Sequence, residues 1–163
     1  GVLPITDERM TRFNITLQNG VDFVLQCLDK MWGGELFVPK IPSYKILDVA
    51  KAIAPGAKYE IVGIRPGEKL HEEMITETDA LNSIEFEKYF VILPSTQLWD
   101  IDKFREESNL SIGKMCEFGF SYNSGTNKDF LTVNDLKGLI NNHIYNDFLR
   151  KTINRSNRYR CCS

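Results

Sequence analysis

The sequence predicts an α/β fold, on three observations. Apolar residues recur at helical spacing in three stretches, each opened by a residue suited to an N-cap. Short runs rich in β-branched and aromatic residues lie between them. Helices and strands alternate along the chain.

The elements follow in order. Asp7–Ile15 mixes polar and apolar residues and reads as a loop or short strand. Thr16 suits an N-cap, and Val21, Val24, Leu25, Leu28 and Met31 then recur on one helical face until Gly33-Gly34 stops the helix. Glu35–Val38 reads as a strand closed by Pro39. Ser43 is the expected cap of a second helix, with Ile46, Leu47, Ala50, Ile53 and Ala54 on its apolar face and Pro55-Gly56 at its end. Tyr59–Ile64 reads as a strand, Arg65-Pro66-Gly67 as a turn, Glu68–Met74 as a short helix and Tyr89–Leu93 as a third strand ended by Pro94. From Ser95 to Thr126 the pattern weakens, although the alternation of Phe118, Phe120 and Tyr122 predicts an extended piece. Thr132 caps a final helix with Val133, Leu136, Leu139, Ile140, Ile144 and Phe148 on one face, and Asp135 stands where a capping box needs an acceptor. The basic, polar stretch 151–163 reads as a flexible tail.

Composition narrows the function classes. The 163 residues are 42% hydrophobic and 26% charged, as in a globular domain, and the net charge of −2 gives no basic field to recruit nucleic acid. No apolar run approaches the roughly 20 residues that span a bilayer; the longest is Tyr89–Pro94. The start, Gly1-Val2-Leu3-Pro4, has neither a leader pattern nor an initiator Met, so the chain reads as a piece of something longer. Cys27 falls in an apolar helical pattern and is expected to be a small core residue. The other cysteines, Cys116, Cys161 and Cys162, form no CxxC pair, and there are two histidines, so no metal site is expected. This cysteine usage fits a reducing cytoplasm.

The chemistry concentrates in Tyr59–Met74. A strand ending in Arg65-Pro66-Gly67 throws an arginine off its tip, and a guanidinium suits bidentate contact with a pyrophosphate. Glu68, at the start of the expected helix, carries a carboxylate able to accept from a vicinal diol. Arg12, in Met10-Thr11-Arg12-Phe13, is a second candidate anion contact. On residue types alone the same groups also suit a solvated turn and an ordinary loop arginine.

Three longer runs carry a resemblance. They are Pro4-Ile5-Thr6-Asp7-Glu8-Arg9-Met10-Thr11-Arg12-Phe13, Gly34-Glu35-Leu36-Phe37-Val38-Pro39-Lys40-Ile41-Pro42-Ser43 and Gly63-Ile64-Arg65-Pro66-Gly67-Glu68-Lys69-Leu70-His71-Glu72. In order and spacing they resemble the inverting UDP-N-acetylglucosamine 4,6-dehydratases of the pseudaminic-acid type, within the polysaccharide-biosynthesis group of the extended short-chain dehydrogenases. Glu85-Phe86-Glu87 and Phe120-Ser121-Tyr122-Asn123-Ser124 fit the same pattern. Similarity is strong over Pro4–Pro94 and patchy to about Ile140. One departure is Asn14, where the family usually has an aromatic residue.

The resemblance implies the C-terminal portion of a Rossmann-type fold, mainly the small substrate-binding domain. Residues 1–150 would form the sugar-nucleotide-binding region, with 16–38 packing on a Rossmann half. It implies a substrate contact set of Arg12 and Arg65 on the UDP pyrophosphate, Glu68 on the uridine ribose, and Thr11 lining the same pocket. The family's reaction moves hydride from sugar C4 to NADP, loses the C5 proton and the C6 hydroxyl, returns hydride to C6 and reprotonates C5 from the opposite face. NADP would be held by an upstream half, as would the catalytic residues: this sequence has no GxGxxG and no Tyr-x-x-x-Lys, and Tyr44-Lys45 has the wrong spacing. No catalytic residue is therefore assigned, His71 is expected to pack or cap, and the chain alone is expected to be inactive. The complete enzyme is expected to be a cytoplasmic homo-oligomer with a UDP-sugar as its partner, and neither nucleic acid nor membrane. The alternatives are a UDP-sugar 4-epimerase or retaining dehydratase of the same family, and a non-catalytic nucleotide-sugar-binding module.

Overall fold

The computed structural model describes residues 1–96, 98–107 and 113–142. The expected tail 151–163, the last two apolar positions of the final helix (Ile144 and Phe148), Cys161 and Cys162 lie outside the described residues. In chain order the elements are β1 (Val2–Ile5), β2 (Thr11–Phe13), α1 (Leu17–Leu28), β3 (Leu36–Pro39), β4 (Ser43–Lys45), α2 (Ile46–Ile53), β5 (Lys58–Ile61), β6 (Glu73–Ile75), α3 (Glu77–Ala80), β7 (Ser83–Glu85), β8 (Tyr89–Ile92), α4 (Ile101–Glu107), β9 (Lys114–Met115), β10 (Tyr122–Asn123) and α5 (Val133–Ile140). The α/β class is the one the sequence predicts.

Two compact units divide these elements. The first holds Gly1–Met10, Tyr44–Leu70 and, of the later described residues, 130–142; the second holds Thr11–Ser43 and His71–Asp129. In the first unit β1 and β5 pair in parallel, Val2 opposite Lys58 and Ile5 opposite Ile61, and α2 packs on α5 and β1. β5 is shorter than the expected Tyr59–Ile64: after Val62 donates to the Ile5 carbonyl at 2.8 Å, Gly63 takes φ +87°, which ends the extended run. Buried Ile5, Met10, Ala52 and Leu136 form this unit's interior. α5 starts as expected: the Thr132 hydroxyl accepts from the Asp135 amide, and the Asp135 carboxylate accepts from the Thr132 amide at 2.8 Å.

The second unit is built on a four-stranded antiparallel sheet ordered β3-β8-β7-β9. β8 is its middle, and its two faces feed separate cores, as period-2 side-chain alternation requires. Tyr89, Val91 and Leu93 pack with Ile84, Phe86 and Phe104; Phe90 packs with Val38, Ile75, Ala80 and Tyr122. This explains why Tyr89–Leu93 is a continuous apolar run rather than an alternating one.

Four expectations are corrected. Ser43 does not cap α2: Lys45 is the N-cap residue and makes no side-chain cap bond, while Ser43 is a fully buried strand residue whose amide donates to Asp129 O at 2.8 Å. Glu68–Met74 is not a helix. Its first residues close a turn and its last enter β6, which pairs with β10 (Ile75 opposite Tyr122), so a long-range partner overrides local helix signals. Glu68 therefore opens no helix and feels no helix dipole. Cys27 is not a core residue: no residue of α1 is buried, and Cys27 is only half-covered. The Thr16 cap of α1 is as expected, accepting from Asn19 at 3.2 Å, but the helix ends at Leu28 with Asp29 as its C-cap residue, short of Met31 and Gly33-Gly34.

The α5 cap yields a stability prediction. Hydrogen bonds from Thr132 lower the Asp135 pKa. A depressed carboxylate contributes stability above its unfolded pKa and loses it as pH falls through the folded value. Thr132→Ala should cost about 1 kcal/mol at neutral pH. In urea denaturation the gap between variant and parent should narrow on acidification below the usual carboxylate range; an equal gap at all pH values would contradict the capping role.

Candidate functional site

In the first unit the RPGE segment forms a compact turn. Pro66 supplies a fixed φ, Gly67 takes φ +86°, and the Glu68 amide donates to the Arg65 carbonyl at 3.0 Å, the pattern of a type II β-turn. Only glycine adopts that φ without strain. The Glu68 carboxylate turns back and accepts from the Arg65 amide at 2.9 Å, so the two predicted site residues lock each other's backbone. Both are exposed. This turn replaces the strand-tip-to-helix junction expected from the sequence, and still presents a guanidinium and a carboxylate from one rigid loop.

In the second unit Thr11 and Arg12 lie in β2, but they are presented differently. Thr11 is buried, and its hydroxyl lies 2.7 Å from His71 Nδ1 and 2.7 Å from Ser124 Oγ. The Arg12 side chain is 22% exposed; its Nη1 donates to the Thr11 carbonyl at 2.6 Å, and its Nε lies 3.3 Å from Glu72 Oε1. Glu72 is fixed in turn: its amide donates to Ser124 Oγ at 2.9 Å and its carbonyl accepts from the Ser124 amide at 2.7 Å. His71 packs against Gly125 so closely that a Cβ there would lie 2.6 Å from the imidazole Cγ.

The other motif runs join the same unit. The Tyr122 hydroxyl donates to the Ile41 carbonyl at 3.0 Å and accepts from the Ile41 amide at 2.9 Å. Asn127 donates to Ile41 O and to Ser43 Oγ, both at 2.9 Å. Lys40 Nζ pairs with Glu85 at 2.6 Å and lies 4.7 Å from the Phe90 ring centroid. Phe13, at the end of β2, stacks obliquely on Tyr122 with centroids 4.8 Å apart. A cleft of about 340 Å³ opens beside these groups, lined by Lys40, Phe90, Phe120, Tyr122 and Asn127 among others; Thr11, Arg12, Arg65 and Glu68 do not line it.

Thr11 with Arg12, and Arg65 with Glu68, are thus each brought together, in separate units. Ser124, Glu72 and Asn127 were not singled out from the sequence as site residues. Their importance rests on partners some 50 to 113 positions away, which no local pattern reveals. Among the described residues no cluster of His, Cys, Asp and Glu suits a metal ion, and no helix is long and apolar enough to cross a membrane.

A dinucleotide needs a glycine-rich turn between a strand and a helix. Here α1 is entered through Asn14-Ile15-Thr16 and α2 directly from β4 through Lys45, with no glycine at either junction. Neither junction offers the turn that would hold a nicotinamide dinucleotide.

The sequence of this chain matches a known family. Residues 1–94 match the family model described as polysaccharide biosynthesis protein, and the chain belongs to that family. Over 145 residues it is 48% identical to a UDP-N-acetylglucosamine 4,6-dehydratase (inverting) from Campylobacter jejuni subsp. jejuni serotype O:23/36 (strain 81-176), covering 85% of this chain and 42% of that protein. A UDP-glucose 4-epimerase from Rickettsia felis (strain ATCC VR-1525 / URRWXCal2) is 29% identical over 147 residues, 88% of this chain and 42% of that one. The fold is similar to the X-ray structure of Pen from Bacillus thuringiensis, with a TM-score of 0.64 at 24% identity over 88% of this chain and 40% of that chain. The chain thus spans less than half the length of these relatives.

Two predictions follow from the second unit's bonding. Tyr122→Phe leaves the Ile41 amide without its acceptor and should destabilise the fold by about 1–2 kcal/mol in chemical denaturation; a change within error would mean water replaces the hydroxyl. Burial is the main cause that pushes the Cys116 thiol up to about 11. Since the thiolate is the reactive form, Cys116 should resist alkylation at pH 8 and react progressively faster towards pH 11, read by peptide mass spectrometry.

Proposed function

We propose that this chain is the sugar-nucleotide-binding portion of a UDP-N-acetylglucosamine 4,6-dehydratase of the inverting type, acting early in nucleotide-sugar supply for surface glycans. The observation that carries this reading is the 48% identity to such an enzyme over 85% of the chain. In this reading Arg12 and Arg65 bind the pyrophosphate of a UDP-sugar, Glu68 accepts from the ribose diol, and Thr11 belongs to the same pocket. The Pro66-Gly67 turn supports it, because a preorganised loop loses little entropy when its arginine engages an anion. Glu68 gives one carboxylate oxygen to Arg65 and keeps the other for a diol.

NADP and hydride transfer belong, in this reading, to residues other than those described, as does the catalytic set. NADP specificity, a cytoplasmic setting, homo-oligomerisation and a pseudaminic-acid product are parts of the same proposal. The exposed apolar face of α1, with Leu17 87% and Val24 57% accessible, supports 16–38 as the stretch that packs on a Rossmann half.

A second reading rests on the epimerase relatives: a UDP-sugar 4-epimerase. It is ranked lower because the identity falls to 29% over a similar span. Mass analysis of the complete enzyme's product separates the two, since dehydration removes one water from the sugar and epimerisation leaves its mass unchanged.

The binding reading is tested by calorimetric titration of the complete enzyme with UDP. Arg65→Ala should cost about 2–4 kcal/mol of affinity, roughly 30- to 1000-fold. Arg65→Lys should fall between, keeping charge but losing the planar fork. Glu68→Gln should be mildest, because an amide oxygen still accepts. If folded Arg65→Ala binds UDP as tightly as the parent, the assignment of this turn fails.

A further inference from the structure

Thr11, the site residue nearest Arg12 in sequence, engages its hydroxyl inside the protein. Its oxygen sits between His71 Nδ1 and Ser124 Oγ, each at 2.7 Å, and Thr11 and Ser124 are both buried. Proton accounting gives the cluster one favoured direction. Ser124 Oγ already accepts from the Glu72 amide at 2.9 Å. If Ser124 donates to Thr11 and Thr11 donates to His71 Nδ1, every hydroxyl hydrogen has an acceptor and the imidazole carries its proton on Nε2. The reverse direction strands the Ser124 hydrogen in a fully buried place, with no acceptor among the described residues, which is costly. A chain of bonds running one way also strengthens each member.

Two residues bonded into this relay, Thr11 and Glu72, hold Arg12. The Thr11 carbonyl accepts Arg12 Nη1 at 2.6 Å, and the Glu72 carboxylate lies 3.3 Å from Arg12 Nε. Thr11 is fixed by its side chain, and Glu72 by two bonds to Ser124. The His71 ring is confined by Gly125, where any side chain would collide with it.

We propose that Thr11, Ser124 and His71 are positioning residues that preset the Arg12 guanidinium for the diphosphate of a nucleotide sugar. This rests on the reading of Arg12 as an anion contact, and it changes the role of Thr11: its hydroxyl holds Arg12 in place rather than touching the ligand.

The test is UDP titration of the complete enzyme, with thermal denaturation of each variant. Thr11→Val removes the hydroxyl at constant shape, Thr11→Ser retains it, and Ser124→Ala removes the relay's first oxygen. Thr11→Val and Ser124→Ala should each weaken UDP binding on the order of tenfold, while Thr11→Ser stays close to the parent. The decisive comparison is the double variant. In an Arg12→Ala background Ser124→Ala should cause no further loss of affinity, because the relay acts through Arg12. If the two losses add, or if folded Ser124→Ala binds like the parent while Arg12→Ala does not, the positioning role is overturned and the Arg12 reading stands. If Arg12→Ala itself leaves UDP affinity unchanged, the underlying reading fails and this inference with it. Should Thr11→Val not fold, Ser124→Ala decides alone.

Discussion

The second unit depends on the mutual grip of Glu72 and Ser124. Two bonds, Ser124 N–H to Glu72 O at 2.7 Å and Glu72 N–H to Ser124 Oγ at 2.9 Å, continue the β6–β10 pairing past its last ladder position. They hold the stretch after Leu70 extended, so that Ile75 reaches the core and His71 meets Thr11. They also set the close approach of residue 125 to the imidazole, which explains the glycine there without any appeal to a positive φ: a Cβ has no room. One serine hydroxyl, bonded to Thr11 Oγ1 and to the Glu72 amide, thus couples a strand, a turn and an arginine that are remote in sequence.

What was legible in the sequence was local. Thr16 and Thr132 cap helices, as expected, because a side-chain oxygen two or three residues from a free amide is a short-range matter. The apolar run at Tyr89 was legible because a strand buried on both faces has no alternation to lose. Two of the differences share one cause. Glu68–Met74 carries acceptable helix formers, yet its second half pairs with a strand nearly 50 residues away. Ser43 has the chemistry of a cap, yet its hydroxyl is needed by Asn127. The short α3, with its complete Thr76–Asp79 capping box, was visible in principle and overlooked because four residues give no periodicity. For the candidate site the motif order pointed to Thr11, Arg12, Arg65 and Glu68, whereas the groups that orient two of them come from positions no spacing rule selects.

Apolar exposure is uneven, and its distribution is informative. β1 and β5 make a two-stranded parallel pair with Val2, Tyr59, Ile61 and Val62 all substantially exposed. Parallel strands are ordinarily buried on both faces, and a two-stranded sheet is marginal by itself. α1 likewise presents an apolar stripe with no buried residue. Such surfaces fit a chain that spans 42% of its dehydratase relative, and they contrast with the sheet of the second unit, where β8 is covered on both sides. Of the uncovered elements, α1 falls within the 16–38 stretch read as packing on a Rossmann half, whereas β5 leads into the Arg65 turn; the covered sheet belongs to the unit that holds Thr11, Arg12 and their partners.

The charge arrangement around Arg12 adds a last constraint. A partly exposed ion pair contributes little stability, so the 3.3 Å contact with Glu72 matters for direction more than for energy. Glu72 is 46% exposed against 22% for Arg12, so water screens the carboxylate more than the guanidinium. A second anion arriving at Arg12 would therefore meet a cation only partly neutralised. Were Arg12 paired with a buried carboxylate instead of a carbonyl and a half-exposed carboxylate, its charge would be more fully neutralised. The Thr11 carbonyl and the solvent-screened Glu72 carboxylate together fix the guanidinium's geometry, which the proposed diphosphate contact requires.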